Sequence, residues 1–184
     1  NKDLVIAIAL CINITGCGNS DQSFINKTDN TKSKEKAVIS ADEKKDVQMS
    51  TYSNPRFGFS ISYPENFTLD KSSDNDDGAE FSLKNAKLLL YGSNNVLDDT
   101  SKSLYEEKLK TITPESIEHK EIGDNYFSIS WREKGLVYNT KTVVGKGSIN
   151  TFVFSYAEDE REMYDSISEQ IEKSFNTPGV DEAH

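Results

Sequence analysis

The sequence predicts an α+β fold, in which an antiparallel β-sheet is flanked by two helices. Three observations predict it. Apolar residues recur with a period of two from Tyr52 onward, as in strands that bury one face. Helical spacing replaces this alternation over residues 101–113 and again over about 159–175. Short turns separate the strands between these two helices, which favours antiparallel pairing and a layered sandwich of sheet and helices.

The first predicted strands lie between residues 57 and 91. The earliest has Phe57, Phe59, Ile61 and Tyr63 on one face and closes at a proline. A second run spans residues 80–83, and a third, residues 87–91, is apolar on both faces. A strand that is apolar on both faces is typical of the middle of a covered sheet, so we expect residues 87–91 to form a central strand.

The first predicted helix spans residues 101–113. Its apolar side consists of Leu104, Tyr105, Leu109 and Ile112. Ser103 and Glu106 have the spacing of a capping box, and Pro114 is a stop signal.

Four strands follow this helix, over residues 116–122, 125–133, 136–144 and 148–157, and glycine-containing turns separate the later ones. The last helix, 159–175, has acidic residues in its first turn and Lys173 in its last, as the helix dipole favours. Its apolar stripe is formed by Tyr164, Ile167, Ile171 and Phe175. Residues 178–184, which begin with Pro-Gly, are predicted to be a disordered tail.

One segment resembles a known family. Residues 55–67 read Pro-Arg-Phe-Gly-Phe-Ser-Ile-Ser-Tyr-Pro-Glu-Asn-Phe, which is similar to the opening strand of PsbP-like domains. The order of strands and helices over 52–177 is also similar to that family, although Phe67 stands where such domains often place Trp. The resemblance implies an α/β sandwich and a location in the cell envelope, and it implies no shared reaction.

The amino terminus resembles that of a bacterial lipoprotein. Residues 4–14 form an apolar run that is shorter than the roughly 20 residues needed to span a bilayer and that fits the central region of a signal peptide. Ile14-Thr15-Gly16-Cys17 follows and resembles a lipobox. The resemblance implies that residues 1–16 are removed as a signal peptide and that Cys17 carries a diacylglycerol, which anchors the chain to the extracytoplasmic face of the cell membrane.

The predicted linker and the predicted domain differ in net charge. Residues 17–51 contain six lysines and six acidic residues and no aromatic residue after Phe24, so they are interpreted as a lipidated cysteine followed by a flexible linker. Lys2 and Asp3 cancel, and residues 52–184 therefore carry the whole net charge of −10. Such a surface repels phosphate groups, which argues against nucleic acid as a partner.

The acidic segment around Gly78 is the densest candidate for a metal site. It contains Asp70, Asp74, Asp76, Asp77 and Glu80. With Gly78 at the sixth position of an EF-hand loop, Ser73 and Lys84 would occupy the first and last ligand positions, where carboxylates are needed. A turn rich in Asp and Asn explains the segment, so no metal site is predicted.

No catalytic group is predicted either. The sequence has no Gly-x-Ser-x-Gly elbow, no cysteine follows Cys17, and its two histidines are His119 and the terminal His184. Neither a catalytic triad nor a cofactor site can be composed from these residues.

A ligand site is hypothesised at one sheet edge. Tyr91, Asn94 and Asn95 lie where the predicted central strand ends, a position at which ligands are often received. Three residues of neighbouring strands are expected to line the same face, namely Arg132, Tyr138 and Lys141. Trp131 alternates with core residues and is predicted to be buried.

These expectations together predict a non-enzymatic, lipid-anchored binding or scaffolding domain. Its partners are expected to be the membrane, through the lipid on Cys17, and an unidentified envelope protein or wall component. Two alternatives stay open at this stage, a hydrolase acting on the cell wall and a Ca²⁺-dependent adhesin.

Overall fold

The alternating and helical segments form two antiparallel sheets and two α-helices in the computed structural model, which describes residues 47–182. The elements in chain order are β1 (Met49–Ser53), β2 (Ser60–Pro64), β3 (Thr68–Ser72), β4 (Gly78–Leu83), β5 (Ala86–Asn94), α1 (Ser101–Lys110), β6 (Ile117–Ile122), β7 (Tyr126–Glu133), β8 (Leu136–Val144), β9 (Ser148–Ala157) and α2 (Arg161–Ser174). Short 3-10 turns span Pro114–Ser116 and Glu158–Glu160. The predicted α+β class is confirmed.

Seven of the strands form the main sheet, in the order β3-β4-β5-β9-β8-β7-β6, and every neighbouring pair is antiparallel. After β5 the chain passes through α1 to the far edge of the sheet, where β6 lies, and β7, β8 and β9 then follow one another back toward β5. β5 and β9 therefore pair with each other although they are far apart in sequence.

The two faces of the main sheet differ in how they are covered. On one face, called the α2 face, α2 and the β1–β2 hairpin cover the larger core, whose sheet residues include Leu88, Leu90, Phe152 and Phe154. On the opposite face, called the α1 face, α1 covers β6 to β8 and buries a smaller core. The buried members of that core are Ile112, Phe127, Ile129 and Trp131.

The start of α1 differs from its predicted cap. Thr100 is the N-cap: its hydroxyl accepts from the Ser103 N–H, at 3.0 Å, and the Ser103 hydroxyl accepts from the Thr100 N–H, at 2.9 Å. The predicted box of Ser103 and Glu106 is wrong by one turn, because the preceding threonine already satisfies the first free N–H groups of the helix.

Two segments outside the predicted domain are ordered. β1 begins at Met49, three residues before the predicted boundary at Tyr52, because pairing with β2 brings Met49 and Tyr52 against the larger core. At the other end, Val180 is buried, and its carbonyl accepts from the N–H groups of Gly147 and Ser148. Residues 178–182 are therefore part of the fold, contrary to the predicted disordered tail.

β5 lies inside the sheet, between β4 and β9, but only one of its faces is covered. Leu88 and Leu90 are buried on the α2 face, whereas Leu89 and Tyr91 are 37% and 43% exposed on the α1 face. The predicted interior position of residues 87–91 is confirmed, but their α1 face is partly exposed because α1 covers β6 to β8 and not β5.

No helix within residues 47–182 combines the length and the hydropathy needed to cross a bilayer. The predicted signal peptide, Cys17, the linker up to residue 46 and the last two residues lie outside the described residues.

Candidate functional site

A groove lies on the α1 face, between α1 and the part of the sheet that this helix leaves uncovered. Its volume is about 370 Å³. Leu104 and Lys108 of α1 line it on one side, and Tyr91, Thr151 and Val153 of β5 and β9 line it on the other. We call this space the α1 groove.

The groove follows from the size of a single helix. A helix with its side chains is about 10 Å wide, whereas neighbouring strands lie about 4.8 Å apart. One helix therefore covers two or three strands of a seven-stranded sheet. Leu104, Tyr105 and Leu109 direct α1 onto the core beneath β6 to β8, so the α1 face of β5 and β9 stays open beside it.

The floor of the α1 groove has few unsatisfied polar groups. The Thr140 hydroxyl donates to the Phe152 carbonyl at 2.8 Å, and the hydroxyls of Thr142 and Thr151 share a hydrogen bond of 2.9 Å. All three threonines are buried. Because their hydroxyls already have partners, the floor presents mainly methyl groups to the groove.

Lys108 is the cationic residue of the groove lining. Its Nζ lies 4.8 Å from the centroid of the Trp131 ring, and Trp131 in turn stacks on Tyr138 with centroids 4.9 Å apart and planes 10° from parallel. Burial lowers the pKa of Lys108, and the nearby negative charge of Glu133 opposes this shift. A partly desolvated ammonium group is thus held on an aromatic stack.

The structure separates the six residues of the hypothesised ligand site. Tyr91 lines the α1 groove, and Tyr138 lies on the same face beneath Trp131. Arg132 and Lys141 point to the α2 face, because they pair across the strands with residues of that face. The expectation of one shared face is wrong: Tyr138 and Lys141 are three positions apart on β8, and an odd separation along a strand puts two side chains on opposite faces.

The two asparagines of that site have separate places. The Asn95 side chain donates to the carbonyls of Asp99, at 2.9 Å, and Gly145, at 2.8 Å, and so holds the connection from β5 to α1. Asn94 is the last residue of β5, and its side-chain oxygen is buried without a hydrogen-bond partner among the described residues. Neither residue lines the α1 groove.

Sequence reasoning missed Lys108, although a signal for it was present. The predicted apolar stripe of α1 runs through Leu104 and Leu109, and Lys108 lies four positions after Leu104 on that same stripe. A lysine within the apolar stripe of a helix is half-buried more often than a lysine on its polar side.

Arg132 belongs to a charge network on the α2 face instead. It pairs with Glu118 and with Glu158, each at 2.9 Å, and Arg161 of α2 also pairs with Glu118. Lys141 lies 3.8 Å from Glu172 of α2. Each of these cations has an anionic partner, so the network ties α2 and its preceding turn to the sheet.

Backbone carbonyls of the acidic segment around Gly78 accept hydrogen bonds from other parts of the domain. The carbonyl of Asp76 accepts from the Asn54 side chain at 2.8 Å, and the carbonyl of Asp77 accepts from the Gly92 N–H at 2.7 Å. Asp76 has a φ of 59°, as in a tight turn. Within residues 47–182, no cluster of three or more His, Cys, Asp or Glu residues is placed to hold a metal ion.

Comparison with known proteins identifies the fold. No family model and no curated protein matches the chain. The solution structure of cyanobacterial PsbP (CyanoP) from Synechocystis sp. PCC 6803 is similar to it, with a TM-score of 0.54 and 17% sequence identity, covering 76% of this chain and 98% of that one. The α/β sandwich implied by the sequence resemblance is therefore confirmed as a fold.

Proposed function

We propose that this chain is a lipid-anchored binding module that receives its ligand in the α1 groove, on the extracytoplasmic face of the membrane. The observation that carries the binding role is the uncovered α1 face beside Lys108. Leu89 and Tyr91 are exposed there on an interior strand, and apolar side chains left open next to a concave space are typical of binding sites.

The lining of the groove favours binding over hydrolysis. Glu107 is the one acidic residue among the described residues that line it. Hydrolysis of glycosides ordinarily uses two carboxyl groups on opposite sides of the scissile bond. A single carboxylate beside a lysine suits recognition of a ligand better than that reaction.

The anchoring role rests on the lipobox resemblance of residues 14–17. A diacylglycerol on Cys17 would supply two acyl chains, and two chains attach a protein to a bilayer stably where one chain gives only marginal binding.

Membrane fractionation tests the anchor. We expect the chain expressed in a bacterial host to sediment with membranes and the Cys17→Ala variant to appear in the soluble extracytoplasmic fraction. Cys11→Ala is the matched control, because it removes the other cysteine of the chain while leaving the lipobox intact, and it should still sediment. Membrane retention of the Cys17→Ala variant would contradict the lipid anchor.

A fragment screen by nuclear magnetic resonance tests the groove. We expect small apolar compounds to shift the amide resonances of Tyr91, Leu104 and Val153, and we expect Val153→Phe to abolish these shifts by filling the groove. Leu69→Phe, on the exposed edge strand β3, is the matched control and should leave binding intact. Shifts confined to other surfaces, or unaffected by Val153→Phe, would show that the groove is not the site.

A further inference from the structure

We infer that the ligand of the α1 groove is a small amphiphile with an apolar body and one carboxylate, and that the Lys108 ammonium group receives this carboxylate. The inference rests on the proposed function, since it assigns a ligand class to the same groove. Three observations carry it: the half-buried Lys108 ammonium group lines the groove without an ion-pair partner among the described residues, the hydroxyls of the floor already have hydrogen-bond partners, and the space is small.

Lys108 has no ion-pair partner among residues 47–182. Some other cations pair with carboxylates, such as Lys87, which lies 2.7 Å from Glu80. The remaining cations of residues 47–182 without an ion pair are exposed, whereas Lys108 is half-buried. The chain has 31 acidic residues against 21 basic ones, so acidic side chains are in excess. Glu107 also lines the groove and the charge of Glu133 acts on Lys108, but neither carboxylate lies at ion-pair distance from it. The Lys108 ammonium group is therefore open to an anion that enters the groove.

The aromatic stack beneath Lys108 positions the ammonium group. Its contact with the Trp131 ring is electrostatic and directional, and Trp131 is itself buried and held by Tyr138. The ring occupies one side of the ammonium group, so an anion can approach it from the groove. A hydrogen bond between two charged groups is also stronger than one between neutral groups.

The floor of the groove selects the body of the ligand. β5, β8 and β9 each have two neighbouring strands, so their backbone N–H and C=O groups are used within the sheet. The hydroxyls of Thr140, Thr142 and Thr151 also have partners, as described above. A sugar or an extended peptide would leave many of its polar groups unpaired on such a floor, whereas an aliphatic or aromatic body would not.

The volume limits the size of the ligand. About 370 Å³ lies at the low end of the roughly 300–1,000 Å³ of small-molecule pockets. The groove is lined by Leu104, Phe127, Ile149 and Val153, which supply apolar contacts along its length. A short acid with a single ring or a short chain fits these dimensions.

Trp131 provides the readout, because it is the single tryptophan of the chain and contacts Lys108. The unlipidated full chain would be titrated with phenylbutyrate and with phenylbutanol, which has the same body without the charge, and Trp131 fluorescence would be followed. We expect phenylbutyrate to bind about ten-fold more tightly, as one charge-assisted hydrogen bond provides. Equal affinities for the acid and the alcohol would overturn the inference.

Variants assign the preference to Lys108. Lys108→Met should abolish the preference for phenylbutyrate over phenylbutanol, and Lys108→Arg should keep it. Lys110 is an exposed lysine of the same helix, and Lys110→Met should leave the preference unchanged. Because these changes lie near the reporter, calorimetry would repeat the titration. Retention of the preference by Lys108→Met would contradict the inference while leaving the proposed groove intact. Failure of wild type to bind either probe in the groove would contradict both.

Discussion

Lys108 is a charged residue that is half-buried at the edge of the α1 groove. Burial disfavours its charged form, and this lowers its pKa. Its contact with Trp131 offsets part of that cost. In the proposed complex, a carboxylate in the α1 groove would offset more of it.

At the residue scale, we expect Lys108→Met to raise the thermal unfolding midpoint. A lowered lysine pKa means that the folded state destabilises the ammonium form, so this cost is present below the folded pKa and is relieved as pH rises through it. Methionine keeps the aliphatic contact with Trp131 and removes the charge. Circular dichroism at pH 7 measures the midpoint. Lys110→Met should leave it unchanged, and a drop in midpoint specific to Lys108→Met would contradict the prediction.

The elements of the fold are held at their ends by a few polar contacts. The Thr100 hydroxyl and the Ser103 side chain close the start of α1, while Asn95 fixes the connection from β5 that leads into it. Val180 closes the turn between β8 and β9 from the far end of the chain. The Asn95 contact with the Gly145 carbonyl joins the segment that leads into α1 to the turn between β8 and β9.

The cap of α1 can be tested at the element scale. Thr100→Ala removes the side chain that accepts from the Ser103 N–H and should lower the free energy of unfolding by about 1 kcal/mol. Thr113→Ala is the matched control, because Thr113 precedes the 3-10 turn without a side-chain cap bond. Urea denaturation gives both values, and equal losses in the two variants would argue against a specific role for the cap.

The carboxyl-terminal segment provides a second test at this scale. A chain that ends at Thr177 lacks Val180 and leaves the N–H groups of Gly147 and Ser148 without that partner. Two hydrogen bonds and one buried valine suggest a loss of roughly 2–4 kcal/mol. A chain that ends at Glu182 keeps these contacts and should match the full chain in urea denaturation. Equal stability of all three would contradict an ordered role for residues 178–182.

The whole molecule combines an acidic surface with a proposed lipid. Residues 52–184 carry the net charge of −10, and anionic lipid headgroups repel such a surface within about a Debye length. In the proposed arrangement the acyl chains hold the protein at the membrane while its surface charge opposes further contact with the headgroups.

Vesicle sedimentation tests this at the molecular scale. We expect the unlipidated full chain to remain in the supernatant with phosphatidylglycerol vesicles and the lipidated chain to sediment with them. Vesicles of phosphatidylcholine, which carry no net charge, are the control for the lipidated chain. Sedimentation of the unlipidated chain with the anionic vesicles would show a protein surface that binds headgroups directly.

Much of the fold follows from local patterns in the sequence. The alternation of Phe127, Ile129 and Trp131 predicts both the strand β7 and the burial of these residues, and both are confirmed. The four strands between the helices begin and end within about a residue of their predicted bounds. The sequence does not predict β1 and β3, because their residues lack this alternation. β3 is exposed along its whole length and is held in the sheet by its backbone pairing with β4.

The sequence by itself determined the α+β class, the two helices and the core stripes, because side chains on a strand or helix repeat with the period of that element. Only the tertiary structure decided which part of the sheet α1 covers. That choice depends on contacts between residues far apart in the chain, and it exposes Leu89 and Tyr91 and brings Lys108 to the groove. A helix is narrower than a seven-stranded sheet, so α1 leaves part of the sheet uncovered, and the α1 groove lies beside that part.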